Sequence, residues 1–203
     1  MKKVVTLFSI VLLAIQASNA QVTDDRKTNV INVNLTSFLI SHYGLSYERV
    51  LSDKISVRLY GDLAYFNYKL SDDNIKLNGF GILPEFRYYV SGKGAPYNYF
   101  VGLYGVIRRY SLDGSISENN KIYRGNGDFG YYGIGFVNGP QFVIGDWIVI
   151  AIPFGFSVGA SSVTGDYVYT DPNTNQIERK TPDIPLTGSA IMPRFAIELG
   201  IAF

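Results

Sequence analysis

The sequence contains no cysteine, and histidine and tryptophan occur only once each in its 203 residues. Without cysteine the chain forms neither a disulfide scaffold nor the lipid-bearing N-terminus of a lipoprotein. Lysine and arginine (18) nearly balance aspartate and glutamate (17), so no excess of positive charge indicates a nucleic-acid partner. No spacing typical of a metal site or a nucleotide-binding loop occurs. We therefore expect no metal, no cofactor and no nucleic acid.

An apolar segment long enough to span a membrane as a helix is also lacking. The apolar run at residues 4–15 has 12 residues, whereas a spanning helix needs about 20. Lys2 and Lys3 precede this run and Ser18-Asn19-Ala20 follows it, which is the pattern of a cleaved secretory signal peptide. An uncleaved N-terminal anchor is the alternative, and the shortness of the run argues against it. We predict a signal peptide over residues 1–20, a flexible lead-in over 21–28 and one domain over 29–203.

The abundant pattern is an alternation of apolar and other residues with a period of two. In the last segment the apolar positions are Phe195, Ile197, Leu199, Ile201 and Phe203. The positions between them are small or charged: Arg194, Ala196, Glu198, Gly200 and Ala202. Because strand side chains point alternately to opposite faces, this segment is predicted to be a strand with one apolar face. The aromatic Phe203 resembles the signal read by the bacterial barrel-assembly machinery, so we expect that machinery as a partner.

The same alternation predicts eight strands. They cover residues 29–37, 43–51, 55–65, 80–90, 98–110, 127–143, 148–158 and 194–203. Short turns at 52–54, 91–96 and 145–146 alternate with mostly longer, more polar connections at 38–42, 69–77, 111–126 and 161–187. Outer-membrane barrels have this asymmetry, with short periplasmic turns and longer external loops. The sequence therefore predicts an all-β fold, a transmembrane eight-stranded antiparallel up-and-down β-barrel, within the lipid and lipopolysaccharide of a bacterial outer membrane.

A soluble β-sandwich or lipocalin-like barrel is the alternative, since it also shows alternation and a signal peptide. Such a protein would hide its apolar face and leave polar residues in water. In this sequence the second face mixes charges with glycine, alanine and serine, which suits a narrow interior. Tyrosine, with 16 residues, is common near predicted strand ends, as in the aromatic girdles of membrane interfaces.

The charges on the second face of the predicted strands balance one another. The acids are Glu48, Asp62, Glu85 and Glu198, and the bases are Arg58, Arg87, Arg108 and Arg194. The interior of an eight-stranded barrel is just wide enough for side chains to fill, and buried charge is tolerated there only when paired. We therefore predict interior ion-pair networks that close the lumen, with a selectivity filter in a water-filled pore as the alternative. A bulge at Gly139-Pro140 would shift the register and affect the placement of Arg108.

Groups suited to catalysis are sparse. His42, with Ser41 beside it, falls in the first predicted external loop, and Ser71, Asp72 and Asp73 fall in the next one, at residues 69–77. A serine, a histidine and an aspartate at the outer rim have the chemistry of an acyl-transferring or lipid-hydrolysing site. No spacing selects a nucleophile among them, so we predict no catalytic residue and no enzyme.

Three segments resemble a known family. They are residues 29–35 with LSYER at 45–49; PEFRYY at 84–89 with Ala95-Pro96 and YFVGLY at 99–104; and the strand with Gly133 and Gly135 that runs to Trp147. They resemble a family of small outer-membrane β-barrels of unknown function that is common in Bacteroidota, and the architecture is similar to OmpX- and OmpA-type barrels. The resemblance implies interior positions for Glu48, Glu85 and Arg87, and it implies no activity.

The leading functional hypothesis is a non-enzymatic barrel with a closed lumen that displays its loops at the cell surface. Its role would be envelope structure, adhesion or recognition of an unknown surface ligand, with Tyr123, Tyr167 and Tyr169 as contact candidates. A narrow channel or small-solute transporter is the second hypothesis, and a rim-site lipid-modifying enzyme is the third.

Overall fold

A computed structural model describes residues 27–39, 41–70, 73–90, 94–118, 121–170, 177–180 and 188–203. The strands are β1 (Asn29–Asn34), β2 (His42–Ser52), β3 (Ile55–Leu70), β4 (Asp73–Tyr89), β5 (Asn98–Glu118), β6 (Lys121–Ile144), β7 (Ile148–Ala151), β8 (Phe154–Thr170), β9 (Ile177–Lys180), β10 (Gly188–Phe195) and β11 (Glu198–Ala202), and the helix is α1 (Leu35–Phe38). Within these ranges, no helix is long and apolar enough to cross a membrane. The predicted signal peptide and most of the predicted lead-in lie outside the described residues.

The strands form one antiparallel sheet that closes into a ring of eight. Strands β1 to β6 pair in chain order. The seventh strand of the ring consists of β7 and β8, which both pair with β6, and the eighth consists of β10 and β11. β11 also pairs with β1, where Val30 lies opposite Ala202, so the first and last strands meet. The predicted all-β, antiparallel arrangement in chain order is confirmed.

The first and last strands of the ring meet along only part of their length. β1 has six residues, and it pairs with β11 through five of them. Among the described residues, β10 pairs only with β8. The complete part of the ring therefore lies at the end that carries the short connections between β2 and β3 and between β6 and β7.

Side chains inside the ring differ in kind from those outside it. On the outside, large apolar side chains are exposed, for example Ile134, Leu103 and Phe195 with 73%, 66% and 62% of their surface accessible. On the inside, charged and aromatic side chains such as Arg87 and Tyr131 are fully buried. This division follows from the alternation of strand side chains, because each strand sends every second residue inward.

The predicted first strand, residues 29–37, extends too far. β1 ends at Asn34, whose side-chain oxygen accepts hydrogen bonds from the Ser37 backbone N–H at 3.1 Å and from Thr36 Oγ1 at 2.7 Å. Asn34 is thus the N-cap of α1 and satisfies one of the backbone donors at the start of that helix. The cap residue explains why the chain turns here.

In three of the predicted loops, the residues that the structure describes are strand. These loops are the connections at residues 69–77, 111–126 and 161–187. The pairing of β3 with β4 continues to Leu70 and Asp73, and that of β5 with β6 continues to Glu118 and Lys121. β8 continues to Thr170 and pairs with β9. The loop prediction rested on polar residues, yet the hydrogen bonds between strands join backbone groups and do not require an apolar face.

The pairing of β5 with β6 keeps one register over its whole length. Asn98 lies opposite Gln141 at one end and Glu118 opposite Lys121 at the other, with no shift between them. The bulge considered at Gly139-Pro140 is therefore absent from this pairing, and Arg108 keeps its inward phase.

Two glycines of β6 make room for tyrosines inside the ring. The Tyr104 ring lies against Gly135, and the Tyr131 hydroxyl lies against Gly133, so near that a Cβ atom at either glycine would overlap the neighbour. Both tyrosines are buried, and Tyr131 donates a hydrogen bond to Ser157 Oγ at 3.0 Å. The tyrosine side chains thus fill the interior space that the two glycines leave empty.

Gly135→Ala is expected to lower the free energy of unfolding by about 1–3 kcal/mol, because the added methyl group displaces the Tyr104 ring. Gly61→Ala is the matched control, since a Cβ there meets no atom nearer than 3.8 Å. Urea unfolding of both variants measures the difference. Equal stability of the two variants would contradict the packing described for Tyr104.

Candidate functional site: the charged interior of the ring

The eight charged residues selected from the sequence all occur on the inner face of the ring. They are Glu48 on β2, Arg58 and Asp62 on β3, Glu85 and Arg87 on β4, Arg108 on β5, Arg194 on β10, and Glu198 on β11. The register aligns Glu48, Arg58 and Glu85 opposite one another on three neighbouring strands. Directly opposite residues are near enough for their side chains to interact, so charges of alternating sign form a row across the sheet.

Glu85 is the centre of the larger ion-pair cluster. Its carboxylate accepts a hydrogen bond from Arg87 Nε, lies 2.8 Å from Arg194 Nη1 and lies 3.7 Å from Arg58 Nη1. The side chain is completely buried, and so are those of Arg58 and Arg87. One carboxylate thus connects β4 with β3 and β10.

Glu48 forms the second node of this cluster. Arg87 Nη1 donates to its carboxylate at 3.0 Å, and the hydroxyls of Ser56 and Tyr89 donate to it at 2.6 and 2.5 Å. Gln141 accepts from Arg87 at 2.9 Å and donates to the Tyr89 hydroxyl at 3.0 Å. The Glu48 carboxylate therefore has neutral donors as well as an arginine.

Glu198 forms the third node and connects distant parts of the chain. Its carboxylate accepts a hydrogen bond from Arg58 Nη2 at 2.6 Å, across 140 residues of sequence. The same nitrogen donates to Ser46 Oγ at 2.8 Å. This ion pair joins β3 to β11, on the far side of β1 and β2, so it crosses the interior at the level where the ring is closed.

Aromatic rings cover the faces of two of these arginines. The Arg87 guanidinium carbon lies 3.8 Å from the centre of the Phe100 ring, and that of Arg194 lies 4.8 Å from the centre of the Tyr104 ring. A guanidinium group is planar, so it donates hydrogen bonds at its edge while an aromatic ring packs on its face. The cluster therefore combines ion pairs with dense packing.

Asp62 and Arg108 form a separate ion pair. Arg108 Nη2 lies 3.7 Å from Asp62 Oδ2, and the Tyr110 hydroxyl donates to Asp62 Oδ1 at 3.4 Å. The Arg108 side chain is 26% exposed, whereas Arg58 and Arg87 of the larger cluster are completely buried. The eight residues thus divide into a cluster of six and a pair.

Sequence reasoning missed several neutral members of the cluster. Gln141 is fully buried and also donates to the Pro96 carbonyl at 3.0 Å, while Tyr89 and Ser56 donate to Glu48. Their position on the charged face was a usable signal, because Tyr89 follows Glu85 and Arg87 at a spacing of two. These three side chains are neutral, so the balance of charges on that face does not single them out.

The cluster of six carries no net formal charge, with three carboxylates and three guanidinium groups. Its members are Glu48, Glu85, Glu198, Arg58, Arg87 and Arg194. Burial of an unpaired ion costs several kcal/mol, so mutual pairing is what makes these side chains compatible with the interior. Chemically, the arrangement holds its own charges together.

Of the residues considered for a rim-site enzyme, the structure describes the side chains of Ser41 and His42. His42 is the first residue of β2 and not a loop residue, and its ring lies edge-on to Tyr110 with 5.8 Å between ring centres. Ser71 and Asp72 lie outside the described residues, and so does the side chain of Asp73. The rim-site alternative therefore stays open.

A comparison with protein families places the chain among known relatives in sequence. The family is described as "Protein of unknown function (DUF3575)", and its profile matches residues 5–181. The chain belongs to the DUF3575 family. The description of DUF3575 names neither a membrane nor a bacterial group, so these parts of the sequence prediction stay predictions. No curated protein matches the chain.

Arg87→Met is expected to lower the free energy of unfolding by about 3–5 kcal/mol, because Glu48 and Glu85 keep their charges and lose a buried counter-charge. Arg124→Met is the matched control, since Arg124 is exposed on β6. Chemical denaturation of the folded variants measures the difference. If both substitutions had the same small effect, the cluster would not contribute to stability.

Proposed function

We propose that this DUF3575 protein is a non-enzymatic, transmembrane eight-stranded β-barrel of a bacterial outer membrane. Its interior is closed by the ion-pair cluster, and its long hairpins are displayed at the cell surface. The carrying observation is the distribution of side chains, with large apolar residues exposed around the outside and paired charges buried inside. The proposal includes insertion by the barrel-assembly machinery into a membrane of lipid and lipopolysaccharide.

The exposed apolar residues support a lipid surrounding. They occur on every strand of the ring, for example Leu59 on β3, Phe86 on β4, Phe156 on β8 and Leu199 on β11. Soluble monomers rarely expose a continuous apolar surface of this extent. A bilayer solvates such a surface, and a closed ring satisfies the backbone hydrogen bonds of its strands without water.

Aromatic residues at the two ends of the apolar surface support the same proposal. Trp147 and Tyr88 lie near the end with the short turns, and Tyr65 and Tyr43 lie toward the other end, all with exposed side chains. Tyrosine and tryptophan favour membrane–water interfaces because their rings have both an apolar body and a polar edge. The two groups correspond to the two girdles of a transmembrane barrel.

The ion-pair cluster supports a closed interior. An eight-stranded barrel leaves space only for side chains, and here Arg87, Gln141, Tyr131 and Phe100 are completely buried in that space. The charges are neutralised within the cluster and are not available to line a water-filled path. A channel is therefore disfavoured relative to a structural or surface-recognition role.

The long hairpins support a role at the cell surface. The β3–β4, β5–β6 and β8–β9 pairs continue beyond the apolar region as polar strands, and β4 stays paired with β5 and β6 with β8 there. Tyr169 on β8 remains a contact candidate for an unknown surface ligand; the side chains of Tyr123 and Tyr167 lie outside the described residues. Adhesion, recognition and envelope structure all fit this arrangement.

Ile134→Lys is expected to make the free energy of folding into lipid bilayers less favourable by about 2–4 kcal/mol, because the lysine charge would enter the hydrocarbon region. Asn126→Lys is the matched control, since Asn126 is also an exposed residue on the outer face of β6, eight positions from Ile134 and in the polar segment. Heat-dependent gel mobility after refolding into vesicles measures the folded fraction. Equal folding of both variants would contradict a lipid-facing belt at Ile134.

Planar-bilayer recordings of the refolded protein are expected to show no steady conductance. The double substitution Glu85→Ala and Arg87→Ala removes side-chain volume from the interior and leaves its net charge unchanged. Because the interior is then less completely filled, this variant is expected to show channel openings. Each sample is first checked for heat-dependent mobility, so that silence is read only from folded protein. Steady, ion-selective openings of the unsubstituted protein would reject the closed interior and favour the channel hypothesis.

A further inference from the structure

A groove of about 550 Å³ lies on the outer wall of the ring, where β4, β5, β6 and β8 run side by side. Gly130 lies in it and contributes no side chain, and the residues that line it include Phe80, Arg109, Tyr132 and Asp128. We call it the outer-wall groove. Its volume falls within the range of about 300–1,000 Å³ that is usual for ligand sites. The six residues of the ion-pair cluster are not among those that line it, so the groove is a separate feature.

The outer-wall groove lies on the long-hairpin side of the apolar surface. The register places Ile82 and Ile107 in one outward-facing row, and Phe80 and Arg109 in the next row toward the hairpins. The row after that is polar on all four strands and consists of Asn78, Ser111, Asp128 and Thr164. Under the membrane location proposed above, this side faces the cell exterior, where the surrounding lipid is lipopolysaccharide.

Arg109 lines the groove without an acidic partner. Its Nε and Nη2 donate to the Tyr132 hydroxyl at 3.0 and 2.6 Å. Within the described residues, no carboxylate oxygen lies within 4.0 Å of its guanidinium group, whereas each of the four interior arginines has one. A guanidinium group has five N–H donors in a fork that fits phosphate oxygens. Arg109 is exposed and therefore offers donors to an anion in the groove.

The polar row of the groove has the chemistry of a saccharide site. Asn78, Ser111 and Thr164 supply an amide and two hydroxyls, and the Asp128 carboxylate accepts from Ser111 Oγ at 2.6 Å. Carboxylate, amide and hydroxyl groups form hydrogen bonds with sugar hydroxyls. The Phe80 ring is exposed in the neighbouring row, and an aromatic ring packs against the C–H face of a sugar. The groove thus combines a cation with groups that bind a sugar.

We propose that the outer-wall groove binds lipid A, the acylated and phosphorylated glucosamine disaccharide of lipopolysaccharide, with a phosphate at Arg109 and sugar hydroxyls at Asp128. The inference rests on the membrane location of the proposed function. In lipid A the phosphate and the sugars lie directly outside the acyl chains. The same order occurs along the groove, where apolar Ile82 and Ile107 are followed by Arg109 and then by the polar row.

Two parts of lipid A are expected to contribute separately. Lipid A without phosphate keeps the disaccharide and the acyl chains and lacks the anion for Arg109. Phosphatidylglycerol has a phosphate and acyl chains, with glycerol in place of the disaccharide. The groove is therefore expected to prefer phosphorylated lipid A to both lipids. The first preference depends on Arg109 and the second on Asp128.

The first test titrates the full chain, refolded in detergent micelles, with lipid A and with its phosphate-free form, and measures bound lipid by native mass spectrometry. The unsubstituted protein is expected to bind phosphorylated lipid A about fivefold more tightly, an effect of the size of one charge-assisted hydrogen bond. Arg109→Gln is expected to abolish this preference, and Arg109→Lys to keep part of it, because lysine retains the charge. Arg124→Gln is the matched control and is expected to keep the preference, since Arg124 is exposed on β6 outside the groove.

The second test compares lipid A with phosphatidylglycerol on the same samples. Because both lipids carry phosphate, the ratio of their affinities isolates the contribution of the saccharide. Asp128→Ala is expected to lower this ratio about threefold, the effect of one ordinary hydrogen bond. Asp113→Ala is the matched control and is expected to leave the ratio unchanged, since Asp113 is exposed on β5 outside the groove.

The negative results are distinguishable because each sample is first checked for heat-dependent gel mobility. A folded protein that binds both forms of lipid A equally, or that loses as much with Arg124→Gln as with Arg109→Gln, overturns the lipid A site alone. An unchanged ratio for Asp128→Ala also overturns it, because a phosphate contact without a sugar contact does not select lipid A. Failure of the protein to refold into vesicles overturns the membrane location and this inference with it.

Discussion

The pairing of Glu85 with three arginines is the interaction on which the rest of the ring depends. Its carboxylate holds Arg87 on its own strand, Arg58 on β3 and Arg194 on β10, and none of these groups reaches bulk water easily. Without Glu85, Arg194 would have no opposite charge within 4.0 Å among the described residues, and an unpaired charge in the interior costs far more than an exposed ion pair contributes. The cluster is therefore stable only when β10 lies across the interior from β3 and β4, from which it is distant in sequence, as in this ring.

The need to keep these charges on the inner face also sets the register of the strands. A shift of one residue between neighbouring strands turns every side chain to the opposite face. Here such a shift would place Glu48 or Glu85 among the exposed apolar residues and move residues such as Phe86 into a space filled by arginines. The contrast between the two faces makes one register far better than its neighbours. The ion pair of Arg58 with Glu198 extends this selection to the meeting of the first and last strands.

Much of this arrangement was predictable because it rests on the period-two alternation of strands. The phase of alternation around Arg58, Glu85 and Glu198 was sufficient to place them on one face. The end of β1 was missed because the Asn34 side chain caps α1, a local interaction that an alternation pattern does not contain. The long hairpins were missed because polar residues on both faces of β5 and β6 resemble a loop. Gln141 was missed because a neutral amide gives no charge to count.

The balance between stability and specificity favours a structural role for the interior charges. Replacing a buried ion cluster with apolar residues of similar volume is often neutral or stabilising, so stability alone does not account for six such residues. With apolar side chains on both faces, however, the strands would lose the feature that distinguishes one register from the next. Because the outer face is apolar, charges on the inner face keep the two faces different, and this difference distinguishes the correct register from the next one. The arginines and glutamates are thus explained by the need to specify one register of the closed ring.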